Sequence, residues 1–135
     1  MKLAIVGSRI LPETDENLAK MTELIKRNIS GITEVVSGGA SGADTLAERF
    51  AKQEGIPFIL FEADWEKYHR AAGPLRNAKV VSYCDKLIAF YINESKSKGT
   101  KDAVKRAKAE KKLLKTYEWR EVEEILDNDL GEFFD

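Results

Sequence analysis

One cysteine, one histidine and three prolines are all that this 135-residue chain contains of three residue types whose clusters mark particular protein classes. Cys84 alone can neither close an intrachain disulfide nor assemble a cysteine zinc site, which excludes a disulfide-stapled scaffold and fits a reducing compartment. His69 has no partners at metal-ligand spacing, so it reads as a surface or hydrogen-bonding residue, and no metal or other cofactor is expected. Long apolar runs are missing as well. The opening MKLAIVGSRI meets Gly7, Ser8 and Arg9 too soon for a signal segment or a membrane span, so a cytoplasmic protein with no membrane partner is expected. Nor is there an excess of one charge: 22 basic against 23 acidic residues give a net charge of −1, which predicts no general attraction to nucleic acid. Internal repeats, low-complexity stretches and a long linker are absent, so a second domain is not expected.

What is present is a globular composition, 43% hydrophobic and 33% charged, arranged as alternating strand and helix patterns. Lys2 to Gly7 and Glu34 to Ser37 read as strands closed by small or polar residues. Leu18, Met21, Leu24, Ile25 and Ile29 recur at helical spacing, as do Ala43, Leu46, Ala47, Phe50 and Ala51 before Gly55. Phe58 to Phe61 is a third strand. Pro74 at a first helical position opens a helix through Leu75 to Tyr83, and Lys86 to Ile92 is a fourth strand. Gly99 to Lys111, Leu113 to Tyr117 and Trp119 to Leu126 continue as helix, strand and helix. Strands joined by crossover helices predict a three-layer α/β/α domain around a parallel sheet of about five strands, with right-handed connections.

Charge is segregated along the chain. Lys96 to Lys115 carries nine basic residues against Asp102 and Glu110, whereas 118–135 carries eight acids and only Arg120. A solvated helix face followed by an acidic tail accounts for this. The sharper expectation is that the tail packs near the basic helix, in its own subunit or a neighbour, and masks it from polyanions.

In an open parallel sheet, ligands bind outside the carboxyl ends of the strands. The unusual residues fall there: Gly7, Ser8 and Arg9 after strand one; Ser37, Gly38, Gly39, Ser41, Gly42 and Asp44 after strand two; Asp64 and Trp65 after strand three; Ser97, Gly99 and Thr100 after strand four. Glycines let the backbone turn and approach a ligand, and the following helix offers unpaired N–H groups to an anion. The spacing matches neither a Walker A loop nor the dinucleotide glycine fingerprint. A glycine-rich turn with Ser41 or Asp44 capping a helix, and Ser97 capping the next, explains the same residues without a ligand. Arg76 and Asn77, expected in the first turn after Pro74, place a guanidinium where it clamps an anion, and Trp65 or Tyr68 offers a ring to stack on a base. Asp44 and Asp64 are the candidate catalytic carboxylates, as bases or as partners of a ribose hydroxyl; the alternative is that Asp44 caps a helix and Asp64 binds backbone.

The order Gly7-Ser8-Arg9, SGGASGADTLAERFA, ADW, AGPLRN, CDKLIAF and SKGT, spread from Gly7 to Ala107, resembles the YspA-like branch of the SLOG superfamily. The resemblance implies a Rossmann-like fold related to DprA, the cytokinin-activating phosphoribohydrolases and the lysine-decarboxylase-like proteins. It also implies a site for a nucleotide or nucleotide-derived ligand, as a sensor in phage-related or stress systems. The phosphoribohydrolases carry Pro-Gly-Gly-x-Gly-Thr and then a glutamate; the stretch Glu94 to Asp102 keeps only Gly99-Thr100. Three functions are therefore carried forward: a nucleotide-binding or sensing module, expected over 1–117 with 118–135 as its acidic helix; a nucleotide hydrolase cleaving an N-glycosidic or phosphate bond; and a DprA-like binder of single-stranded DNA, which is not favoured. A homo-oligomer such as a dimer is compatible with the sequence, which does not set the oligomeric state.

Overall fold

The computed structural model describes residues 1–134, and for Ser95 and residues 129–134 it describes the backbone alone. The sheet has five strands, β1 (Lys2–Gly7), β2 (Glu34–Ser37), β3 (Phe58–Leu60), β4 (Lys86–Tyr91) and β5 (Leu113–Glu118), in the order β3-β2-β1-β4-β5. All neighbours are parallel, with Gly7 opposite Phe90 on the central pair. Both β1 and β4 are almost wholly buried, which is why KLAIVG and KLIAFY read as continuous apolar runs and not as alternating ones.

The helices are α1 (Asp15–Asn28), α2 (Ala43–Glu54), α3 (Trp65–Tyr68), α4 (Ala72–Tyr83), α5 (Lys98–Ala109) and α6 (Trp119–Phe134). Thr14 caps α1 by accepting the Asn17 N–H at 3.1 Å, and Gly55 ends α2 in the left-handed region. One face of the sheet packs Leu3, Ile5, Val35, Ile88 and Phe90 against Met21, Leu24 and Ile25 of α1, Leu46 and Phe50 of α2, and Val122 and Leu126 of α6. The other packs Ala4, Val6, Leu87 and Ala89 against Val80 and Val81 of α4 and Ala103 and Ala107 of α5. This is the three-layer arrangement expected. Cys84 lies in the second layer, where burial pushes its thiol up to about 11 and keeps it protonated.

Two expectations are corrected here. The helix expected to open at Pro74 begins at Ala72, after α3 and a 3-10 turn at His69–Ala71. Pro74 falls third in the helix, where an amide has no helical acceptor to lose, and Arg76 and Asn77 move into the second turn. Through Asn128, the acidic segment does not pack near the basic helix of its own chain. Val122 and Leu126 hold α6 on the α1 face, whereas the small apolar stripe of α5, Ala103 and Ala107, lies on the opposite face. Apolar burial, not charge attraction, decides where both helices sit. Of the remaining acids, Asp135 lies outside the described residues, and Asp129 and Glu132 are described by their backbone alone.

Candidate functional site

From β1 the chain steps outward to β2 and β3 and then returns across the sheet to β4, so the order reverses between β1 and β4. A crevice opens where connections leave a parallel sheet in opposite directions. It is present here as a cavity of about 490 Å³ at the carboxyl ends of these strands. Ten of the sequence candidates line it: Gly7, Ser8, Arg9, Gly38, Asp44, Arg76, Asn77, Ser97, Gly99 and Thr100.

At the end of β1, a Cβ on Gly7 would lie 2.2 Å from the Phe90 carbonyl and 2.6 Å from Ala43 Cβ. The glycine is thus what lets the first residue of α2 rest on the central strands. Ser8 is buried beside it; its Oγ takes the Ile92 N–H at 2.8 Å and lies 2.7 Å from Ser97 Oγ, joining the β1 end to the start of α5.

The two helix starts that face the crevice differ in what they offer. At α2 the first two amides are already taken. Gly42, with φ of 72°, donates its N–H to the Glu13 carboxylate at 2.8 Å, and Ala43 donates to the Ser8 carbonyl at 3.1 Å. Neither Ser41 nor Asp44 caps the helix: Ser41 Oγ donates to the Arg9 carbonyl, and Asp44 Oδ2 accepts the Ala40 N–H at 3.0 Å. Glu13 thus places a carboxylate on one of the amides that the glycine-rich loop was expected to offer a ligand. At α5 the first helical bond runs from Lys101 N–H to the Ser97 carbonyl at 2.9 Å, so the Lys98, Gly99 and Thr100 amides have no helical acceptor. Ser97 stands at the cap position without a side-chain capping bond, because its hydroxyl is engaged with Ser8 and the Asn93 carbonyl. This start is open to an anion.

Arg76 reaches across from α4. Nη1 donates to the Gly38 carbonyl at 2.8 Å and Nε to Asn77 Oδ1 at 3.1 Å, while Nη2 has no acceptor among the described residues. A Cβ on Gly38 would come within 2.3 Å of Nη1, so this glycine makes room for the guanidinium. Burial lowers the Arg76 pKa, with neighbouring Arg9 acting in the same direction and Asp44 opposing both. Asn77 is fully committed: Nδ2 donates to the Gly99 carbonyl and to Asp102 Oδ2, both at 3.0 Å. It is a brace between Arg76 and α5, not a free ligand contact. Asp102 is further tied to Arg106 at 2.9 Å.

Asp44 is 8% exposed at the cavity wall. Burial raises its pKa above the ordinary carboxylate value, against the opposing effects of the Ala40 N–H, the nearby Ser37 hydroxyl and the Arg76 and Arg9 charges.

A profile of the YspA, cpYpsA-related SLOG family matches residues 1–68, just over half of the chain. The chain belongs to this SLOG family. Among curated proteins it is similar to the Gene 61 protein of Mycobacterium phage D29, with 34% identity over 112 residues, covering 78% of this chain and 87% of that protein. Among solved structures it is similar to DNA processing protein A (DprA) from Streptococcus pneumoniae, with a TM-score of 0.64 over 83% of this chain at 20% identity. That likeness establishes the fold. The SLOG chain spans only 48% of the DprA chain.

The remaining candidates of this SLOG-family chain lie apart from the cavity wall. Ser37 is buried behind it, donating to the Ile5 carbonyl at 2.8 Å. Gly39 sits under Leu60, and Ser41 and Gly42 tie the α2 loop to residues 9 and 13. Asp64 caps α3 by accepting the Lys67 N–H at 3.1 Å, and half-exposed Trp65 packs toward Gly73. Asp64, Trp65 and Tyr68 are absent from the lining because β3 is the edge strand, two places from β1, so the loop after it lands away from the reversal point. The candidates that sequence reasoning missed are Val6, Ile10, Ala40, Val80, Ile92, Lys96, Lys98 and Ala103. Lys96 precedes the SKGT motif and Lys98 lies within it, so both were legible; the apolar ones look like any other core residue in one dimension. No helix among the described residues is long and apolar enough to cross a membrane.

Proposed function

We propose that this protein binds a nucleotide or nucleotide-derived small molecule in the cavity between β1 and β4, and that it does so as a sensing module. The observation that carries the reading is that the free amides at the start of α5 open into the same cavity as Arg9, Arg76, Lys96 and Lys98, with Asp44 as the only carboxylate of the lining among the described residues. Such a wall attracts anionic oxygens at one place, and a cavity of about 490 Å³ takes more than a bare phosphate. Binding without turnover is favoured by the α5 start, where Asp102 is held by Asn77 and Arg106 and does not line the cavity.

A thermal-melt panel of nucleoside mono- and diphosphates, cyclic nucleotides and ADP-ribose tests this. A ligand at about a hundred times its Kd stabilises the fold by about 2.7 kcal/mol. The shift is expected to vanish in Arg76→Ala and to shrink in Lys98→Ala, an exposed position whose loss leaves the fold intact. No shift with any member sinks the reading. Asp44 supports a second reading, cleavage of a bound nucleotide with that carboxylate as base. Chromatography of the same incubations would then reveal released base or phosphate that disappears in Asp44→Asn.

A further inference from the structure

Besides its cationic groups, the cavity has an apolar side made by Val6, Ile10, Val80, Ile92 and Ala103. Val6 is 9% exposed and Val80 and Ala103 are each 1% exposed, so a ligand removes little further surface from them. Ile10 is 68% exposed. A lone exposed isoleucine is ordinary on a protein surface. Two observations distinguish this one.

The first is that Ile10 lines the same cavity as Arg9, Arg76 and Lys98. The second is that its loop is tied on both sides. The Ser8 carbonyl accepts from Ala43, the Arg9 carbonyl accepts from Ser41, Leu11 is 1% exposed in the core, and Glu13 holds Gly42. The backbone around Ile10 is therefore braced while its β-branched side chain, stiff at χ1, stays uncovered at the cavity. Hydrophobic stabilisation on binding comes only from area that was wet beforehand. Among the apolar residues of the wall, Ile10 has the most such area to lose. The rings that the sequence offered for stacking, Trp65 and Tyr68, do not line the cavity.

We infer that Ile10 is the specificity-determining contact for the base of a nucleoside phosphate, making the ligand class one with a planar apolar body as well as an anionic end. This rests on the nucleotide reading above. A sugar phosphate or an inorganic anion engages the cationic groups and leaves Ile10 wet; a nucleoside phosphate covers it.

Calorimetry with the four common nucleoside 5′-monophosphates and with ribose 5-phosphate tests the assignment. At least one nucleotide is expected to bind the native protein about tenfold or more tighter than ribose 5-phosphate, a factor that burial of one aliphatic side chain supplies. In Ile10→Ser that preference falls to within about twofold, ribose 5-phosphate binding is unchanged, and Ile10→Val keeps most of the preference. Arg76→Ala weakens both ligand types. Equal affinities in the native protein, or an equal loss for both ligand types in Ile10→Ser, overturn the role of Ile10 and leave the anion site standing. Failure of all five compounds to bind, with no melt shift from any other nucleotide of the panel, overturns the nucleotide reading and this inference together.

Discussion

Asp44 illustrates how a cavity-lining residue differs from a helix-capping one of the same type. Asp64 sits exposed at the start of α3 and caps it, a role that stabilises. Asp44 is buried, and the desolvation of its carboxylate exceeds what the Ala40 N–H and the nearby arginines return. A folded-state pKa raised above the unfolded one means that the native form holds the proton more tightly. The associated stability is present below the unfolded pKa and is lost as pH rises through the folded one. At neutral pH the ionised group is thus a net cost. Asp44→Asn is expected to melt higher than the native protein at pH 7, with the gap closing as pH falls. A lower melting temperature for the variant at pH 7 would show that the carboxylate is structural. Sequence alone located this residue beside the glycine loop, but not its environment, because Arg76 and Arg9 approach it from other elements.

Among the elements, helix starts were the least legible. The α2 start read either as an open phosphate loop or as a turn capped by Ser41 or Asp44, but the group that holds its Gly42 amide, Glu13, lies 29 residues upstream. The α5 start read equally as a ligand site or as a helix capped by Ser97, and that hydroxyl is drawn off to Ser8 across 89 residues. The final helix shows the opposite case, a segment whose acids suggested a tail but whose apolar residues make it part of the core. Val122 is fully buried, Leu126 is 8% exposed, and Trp119 meets Phe90 edge-on at 5.7 Å. A chain ending at Glu118 exposes this surface and is expected to lose on the order of 5 kcal/mol, enough to unfold a marginal domain. A chain ending at Asn128 retains all three side chains and is expected to keep most of its stability. Comparable urea midpoints for the two truncations would contradict this assignment of α6.

In the molecule as a whole, the near-zero net charge conceals two charged sides. Lys98, Lys101, Lys105 and Lys108 are exposed on α5 and Glu121, Glu123, Glu124 and Asp127 on α6, with the sheet between the two helices. The described acids therefore do not mask the lysines within one chain. A single-stranded oligonucleotide is expected to be held weakly at low ionic strength and released steeply by salt, and Lys101→Glu with Lys105→Glu should abolish retention without changing the nucleotide-induced melt shift. Lack of retention at the lowest salt would end the DNA reading and leave the cavity untouched.

Strand and helix identities, their alternation and the glycine loops were readable in one dimension, because apolar period and backbone permissiveness are properties of neighbouring residues. The family resemblance was readable for the same reason, being an ordered string of short local motifs. Strand order is not local. The return from β3 to a place beside β1 set which strand ends share a crevice, gathering Ser8, Asp44, Arg76 and Gly99 and leaving Asp64 and Trp65 outside. Tertiary packing likewise decided which amides were already satisfied and which apolar side chain was left uncovered, since a hydrogen bond or a buried face depends on what lies opposite it in space.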